Sequence, residues 1–152
     1  MERYVCEGTC GARLTPEEYA AHGQKTCQAK ECTHYGQPFS RTGEALSQRK
    51  CVPCEGGVSP FSLEDLFEYQ KQVHEDWRVA DEGKKIKRDF SFADFKEAMT
   101  FVNKVADIAE TEAHHPDITI SYNKVVISLW THAIGGLSEN DFIMAAKIDA
   151  II

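Results

Sequence analysis

Glu110, His114, His115 and His132 are the residues of this 152-residue chain whose types and spacing could move protons. Histidine exchanges a proton near neutral pH, and a carboxylate beside it can orient the ring or balance its charge. In the stretch ETEAHHPDITISYNK, Glu110 and His114 stand four residues apart, so a helix would place them on one face, about one turn from each other. Pro116 pushes His115 into an extended conformation and ends that helix there or just before. At such a helix-to-strand corner the two adjacent imidazoles can border one pocket. His132 closes a strand in WTHAIGG, where Gly135 and Gly136 leave room for a ligand or simply make a tight turn. General acid-base chemistry is what this set could do. Each residue also has a plain structural reading: His114 as a helix cap, His115 and Glu110 as solvated residues, His132 as a strand end, and Asp141 as the capping-box partner of Ser138. A zinc hydrolase built on Glu110, His114, His115 and His132 is the chemical rival, although two adjacent histidines fit one tetrahedral ion awkwardly.

A second group of reactive residues lies apart from these. All six cysteines fall within the first 54 residues, at 6, 10, 27, 32, 51 and 54. The start, MERYVCEGTC, shows no basic stretch followed by an apolar core, which sets the expectation of a cytoplasmic protein with thiolates rather than disulfides. Cys6 with Cys10 and Cys27 with Cys32 could give four thiolates to a structural zinc, with His22 or His34 able to replace a cysteine. A unit of about 40 residues buries little apolar surface, and a metal would supply the missing stability. Free or redox-active thiols are the alternative. Cys51 and Cys54 have the tighter two-residue spacing and stand at the start of the second domain.

The elements that must position the histidines are marked by helix starts. LTPEEY, FSLEDL, FSFADF and LSENDF each carry an apolar residue, a hydroxyl, an acidic residue three places on, and a second apolar residue. Thr15, Ser62, Ser91 and Ser138 are the expected caps. The helix from Ser91 is expected to run to about residue 113, because Phe92, Phe95, Met99, Val102, Val105, Ala106, Ala109 and Ala113 recur at helical steps. A shorter helix is expected from 62 to about 74, with Leu63, Leu66, Phe67 and Val73 as its apolar residues. Strands are expected at 77–81 and 85–90 around a turn with Gly83 at positive φ, and at 117–122 and 124–132 around Asn123. Helix, two strands, long helix, two strands, helix is an α+β pattern, in which helices cover one apolar face of a sheet.

Charge and hydropathy narrow the function classes. Seventeen basic residues face 24 acidic ones, a net charge of −7, all of it carried by residues 61–152. An acidic domain repels a phosphate backbone, which weighs against nucleic acid, and KKIKR at 84–88 is too short to reverse that. No run of 18 apolar residues exists, so no helical membrane span is expected. The polar stretch 41–50 and GGVSP at 56–60 look like linkers, so two units are expected: residues 1–47, cysteine-rich and zinc-binding, and residues 48–152.

Residues from about 50 onward resemble the pterin-4a-carbinolamine dehydratase family, from KCVPCEGG through Glu110, His114-His115-Pro116, Tyr122-Asn123-Lys124, Thr131-His132 and Asp141. That resemblance implies a four-stranded antiparallel sheet with helices on one face, assembled as a homodimer or homotetramer. It implies removal of water from 4a-hydroxytetrahydropterin, giving quinonoid dihydropterin without a redox cofactor or metal. By the same resemblance His114, His115 and His132 fall on the active-site histidines and Glu110 and Asp141 on the supporting acids. Trp77 falls on the pocket tryptophan, expected to stack on the ring, and Pro116 belongs to the motif. Within that frame His114 and His132 are the expected acid-base pair, with Glu110 orienting His114. The amino-terminal unit is an addition to the family pattern, suited to contact with a protein partner. A dimerisation or transcription-cofactor module is the alternative from another functional class.

Overall fold

The computed structural model describes residues 4–6, 13–14, 40–41, 44–52 and 59–152. Three two-residue strands, β1 (Tyr4–Val5), β2 (Arg13–Leu14) and β3 (Ser40–Arg41), form a small antiparallel sheet with β1 in the centre. The main domain then runs α1 (Leu63–Gln70), β4 (Arg78–Ala80), β5 (Lys85–Ser91), α2 (Phe95–Glu112), β6 (Asp117–Ser121), β7 (Lys124–Leu129) and α3 (Glu139–Asp149). Its four strands are antiparallel in the order β4-β5-β7-β6.

One face of this sheet is the core. The pairs Ile86 with Leu129, Arg88 with Ile127 and Phe90 with Val125 point to the same side, and all six residues are buried. Alternation along a strand allows this only if the opposite side carries the polar set. It does: Lys85, Lys87, Asp89, Ser91 and Lys124 face away. Helices α2 and α3 cover the apolar side with Ala98, Phe101, Val105 and Ala109 from one and Phe142, Ala145 and Ile148 from the other. The expected α+β arrangement, helices on one face of a four-stranded antiparallel sheet, is therefore the observed one.

Local departures from the sequence expectations have identifiable causes. Ser62 caps α1 in a full capping box with Asp65, but the cap of α2 is Asp94, whose carboxylate accepts from Glu97 N at 2.8 Å. Ser91 is spent in the strand, paired with Lys124, so the helix begins at the next competent side chain. Helix α1 stops at Gln70, and Leu63 (81% exposed) and Phe67 (63% exposed) face outward while Leu66 and Tyr69 turn in. The turn after β4 needs positive φ at Asp81 and Glu82 as well as Gly83. Thr15 and its helix lie outside the described residues, as do residues 56–58 of the linker expected at 56–60.

The segment 44–52 belongs with the main domain. Leu46 enters the core, and the short 3₁₀ turn Leu46–Gln48 packs on α3, where Lys147 Nζ donates to Ser47 O at 3.0 Å. Residues 46 and 47, expected in the linker, are thus packed onto the domain they precede.

Candidate active site

The site begins with the first turn of α3, whose opening residues Glu139, Asn140 and Asp141 are all buried despite being polar. Buried polar groups need partners, and here each has a different one. The Arg49 guanidinium meets Glu139 at 2.5 Å. The Asn140 side chain pairs with the backbone of Val52 like a strand neighbour, accepting from its N–H at 3.0 Å and donating to its carbonyl at 2.8 Å. Asp141, fully buried, turns the other way.

Asp141 is a hub. Its Oδ2 accepts from the Ser138 backbone N–H at 2.9 Å, the returning half of the expected capping box, and from Thr131 Oγ1 at 2.8 Å. Its Oδ1 lies 2.7 Å from His114 Nε2. Because a carboxylate accepts only, the His114 ring carries its proton on Nε2, and Thr131 has already committed its single proton, so Ser138 Oγ donates to Thr131 Oγ1 at 2.8 Å. Asp141 thus does the capping duty and ties together His114 and the residue beside His132.

Why His114 reaches inward while His115 does not is decided one residue earlier. Ala113 ends α2 in the left-handed region, at φ 52°, and His114 N closes the helix by donating to Ala109 O at 3.2 Å. This is a left-handed helix termination with alanine where glycine is commonest. The reversal sends His114 under the turn to Asp141, 7% exposed, and throws His115 outward. There His115 Nε2 meets Glu110 Oε1 at 2.8 Å, with both side chains more than half exposed. The expected Glu110–His114 pair is replaced by Glu110–His115, because Ala113 breaks the helical register between them.

His132 is brought to the same end of the domain by the hairpin of β6 and β7. Asp117 stands opposite Ser128, which sets Pro116 and His115 beside the chain leaving β7. A bridge from Thr131 to Gly136 closes a tight loop over the 3₁₀ turn His132–Ile134, with Thr131 N donating to Gly136 O at 2.8 Å. Gly136 is required there: a Cβ would come within 2.7 Å of the Pro60 side chain. His132 is exposed, and its ring centre lies 3.9 Å from that of Trp130 at an interplanar angle of 85°. Trp130 was not among the expected site residues. Its sequence signal is an amphipathic aromatic on the outward phase of β7, two residues before His132.

Trp77 requires a correction. It is fully buried, stands edge-on to Phe90 with ring centres 6.3 Å apart, and donates from Nε1 to Asp149 Oδ1 at 2.9 Å. A side chain so enclosed has no face to offer a bound ring. Pro116 is half-buried at the corner itself.

Among the described residues no three His, Cys, Asp or Glu side chains are grouped to hold a metal ion, so Glu110, His114, His115 and His132 do not make a zinc centre. Of the cysteines expected to bind structural zinc, Cys6 is buried after β1, whereas Cys10, Cys27 and Cys32 lie outside the described residues. No helix among the described residues is long and apolar enough to cross a membrane.

Known proteins share this arrangement of chain. A protein of Nitrosomonas eutropha named after pterin-4-alpha-carbinolamine dehydratase is 49% identical over 107 residues, 70% of this chain and 93% of that protein. One of the same designation from Alkaliphilus metalliredigens is 45% identical over 104 residues, 68% of this chain and 93% of its own length. The crystal structure of a transcriptional coactivator/pterin dehydratase from Brucella melitensis superposes with a TM-score of 0.58 at 33% identity, covering 61% of this chain and 98% of that one. The family model for pterin 4 alpha carbinolamine dehydratase matches residues 59–151, the whole of the sheet, its three helices and the histidine corner, and the chain therefore belongs to that family.

Proposed function

We propose that this protein dehydrates 4a-hydroxytetrahydropterin to quinonoid dihydropterin and water, with His115 and His132 exchanging protons at a corner fixed by the buried His114–Asp141 pair. Family membership makes the chain a dehydratase-type enzyme; the substrate and the division of labour are the proposal. Breaking the C4a–O bond requires a proton delivered to the departing hydroxyl and one removed from the pterin ring. No oxidation state changes, so no electron carrier takes part. Exposed imidazoles can serve both tasks. Glu110, on His115 Nε2, fixes that ring and balances its charge when protonated. His114, enclosed and bonded to Asp141, acts as a positioning residue. The observation that carries this reading is the Asp141 hub, which bonds the residue next to each exposed histidine, His114 beside His115 and Thr131 beside His132.

The test is turnover of synthetic 4a-hydroxytetrahydropterin by His115→Ala and His132→Ala. Each is expected to lose roughly 10²-fold in kcat, the usual contribution of a general acid or base. Wild-type rates in both variants would remove the exposed pair from the mechanism.

Among the described residues β6 pairs only with β7, and its outer edge, flanked by Ile120 and Tyr122, is open to a second copy. A homodimer or homotetramer is proposed on that ground. For the amino-terminal unit we retain a structural zinc on Cys6, Cys10, Cys27 and Cys32, to be read as stoichiometric zinc by mass spectrometry of the full chain.

A further inference from the structure

The exposed His132 sits on a short loop, yet its neighbour Trp130 is held from two sides by the sheet. The Trp130 indole N–H donates to Asp117 Oδ2 at 3.0 Å. Lys85 Nζ lies 4.6 Å above the indole ring centre, within cation–π reach. The same ammonium stands 3.7 Å from Asp117 Oδ2 and 3.8 Å from Asp81 Oδ2, so the lysine is itself steered over the ring. Lys85 opens β5, Asp117 opens β6 and Trp130 follows β7, so three strands meet at this point on the face away from the helices. Against that fixed indole the imidazole of His132 packs nearly perpendicular.

We propose that Trp130 is a positioning residue for the dehydration: it holds the His132 imidazole in its working orientation and is itself held by Asp117 and Lys85. The inference rests on the reading of His132 as a proton-exchanging residue. An imidazole on a solvent-facing loop has several side-chain rotamers open to it, and only some aim a ring nitrogen at a bound substrate. An edge-to-face contact with an indole removes some of those rotamers without hydrogen-bonding either ring nitrogen, which leaves both available for proton exchange. A carboxylate partner would fix the ring equally well but would occupy one nitrogen, as Asp141 does for His114. Supporting a reactive group from rigid strands rather than from its own loop is how a site keeps the tolerance that proton transfer requires.

Trp130→Leu in the full-length protein is expected to lower kcat about tenfold while changing KM by less than about twofold, because orientation matters in the transition state more than in binding. In the His132→Ala background the same substitution is expected to cost nothing further. In the free protein, nuclear magnetic resonance should find the His132 ring protons displaced by the indole ring current, and Trp130→Leu should abolish that displacement. Should Trp130→Leu fold poorly, Asp117→Asn keeps the indole and weakens its anchor, and must reproduce the kcat loss on a smaller scale. Equal losses in the presence and absence of His132, or unchanged His132 ring-proton positions in Trp130→Leu, would overturn the proposal, as would a wild-type kcat in Trp130→Leu alongside a slow His132→Ala. A wild-type rate in His132→Ala itself would instead fell the functional reading first, and this inference with it.

Discussion

The two histidines of the doublet sit in opposite environments: His114 is enclosed beside a fully buried carboxylate, whereas His115, one residue on, is open to solvent beside an exposed one. Sequence adjacency and residue type are the same, so environment alone distinguishes the two rings. Inside, a short hydrogen bond in a low-dielectric setting is strong and its loss is expensive. Outside, the same pair is screened by solvent, which suits the proton exchange proposed for His115. The comparison extends to their surroundings. The inner side is cross-braced by Arg49, Val52 and Thr131 through the first turn of α3, while the outer side relies on Glu110 and Trp130.

The largest expected effect comes from emptying the hub. Asp141→Ala strands buried His114 and removes the acceptor of Thr131 and Ser138, and should lower unfolding free energy by about 3–5 kcal/mol in chemical denaturation. If the loss is under about 1 kcal/mol, the inner side is not the structural half of the pair. Arg49→Ala, which takes one partner from Glu139 in the same turn, should cost less, about 1–3 kcal/mol. Glu110→Gln sharpens the contrast from outside. It should change stability by under about 1 kcal/mol, as exposed pairs do, yet lower kcat measurably because His115 loses its orienting charge. A large stability loss with unchanged turnover would invert the assignment of inner and outer duties. Ala113→Gly is the smallest: relief of the left-handed alanine is offset by the added freedom of glycine in the unfolded chain, so the net gain should stay within about 1 kcal/mol by thermal melting.

The fold was legible because its signals are local. Ser62 with Asp65 and Ser138 with Asp141 announce helices through hydrogen bonds that span only three residues, and the alternation in β7 names its buried face directly. The cap of α2 was misplaced because FSFADF offers two competent residues, and which one serves depends on how far β5 continues, a matter of pairing with Lys124. The site was legible only as a set of residues. The Glu110–His114 pairing assumed continuous helix, and nothing in the letters says that Ala113 will take positive φ. Trp77 and Trp130 illustrate the same limit. Both are aromatic residues next to strands, and only packing decides that the first enters the core and the second stands beside His132. Residues 46–50 look like linker by composition, because the anchors of the segment they open, Glu112, Glu139 and Asn140, lie 60 to 90 positions away.

The left-handed Ala113 has a further consequence for how this corner tolerates change. A one-residue deletion between it and Pro116 would still leave an imidazole at the first position after the reversal, so the carboxylate would keep its ligand, but the solvent-side imidazole would be lost. If His115 exchanges protons as proposed, chain length at that bend sets turnover separately from folding, and a shortened corner should yield a protein that assembles its interior and processes substrate poorly.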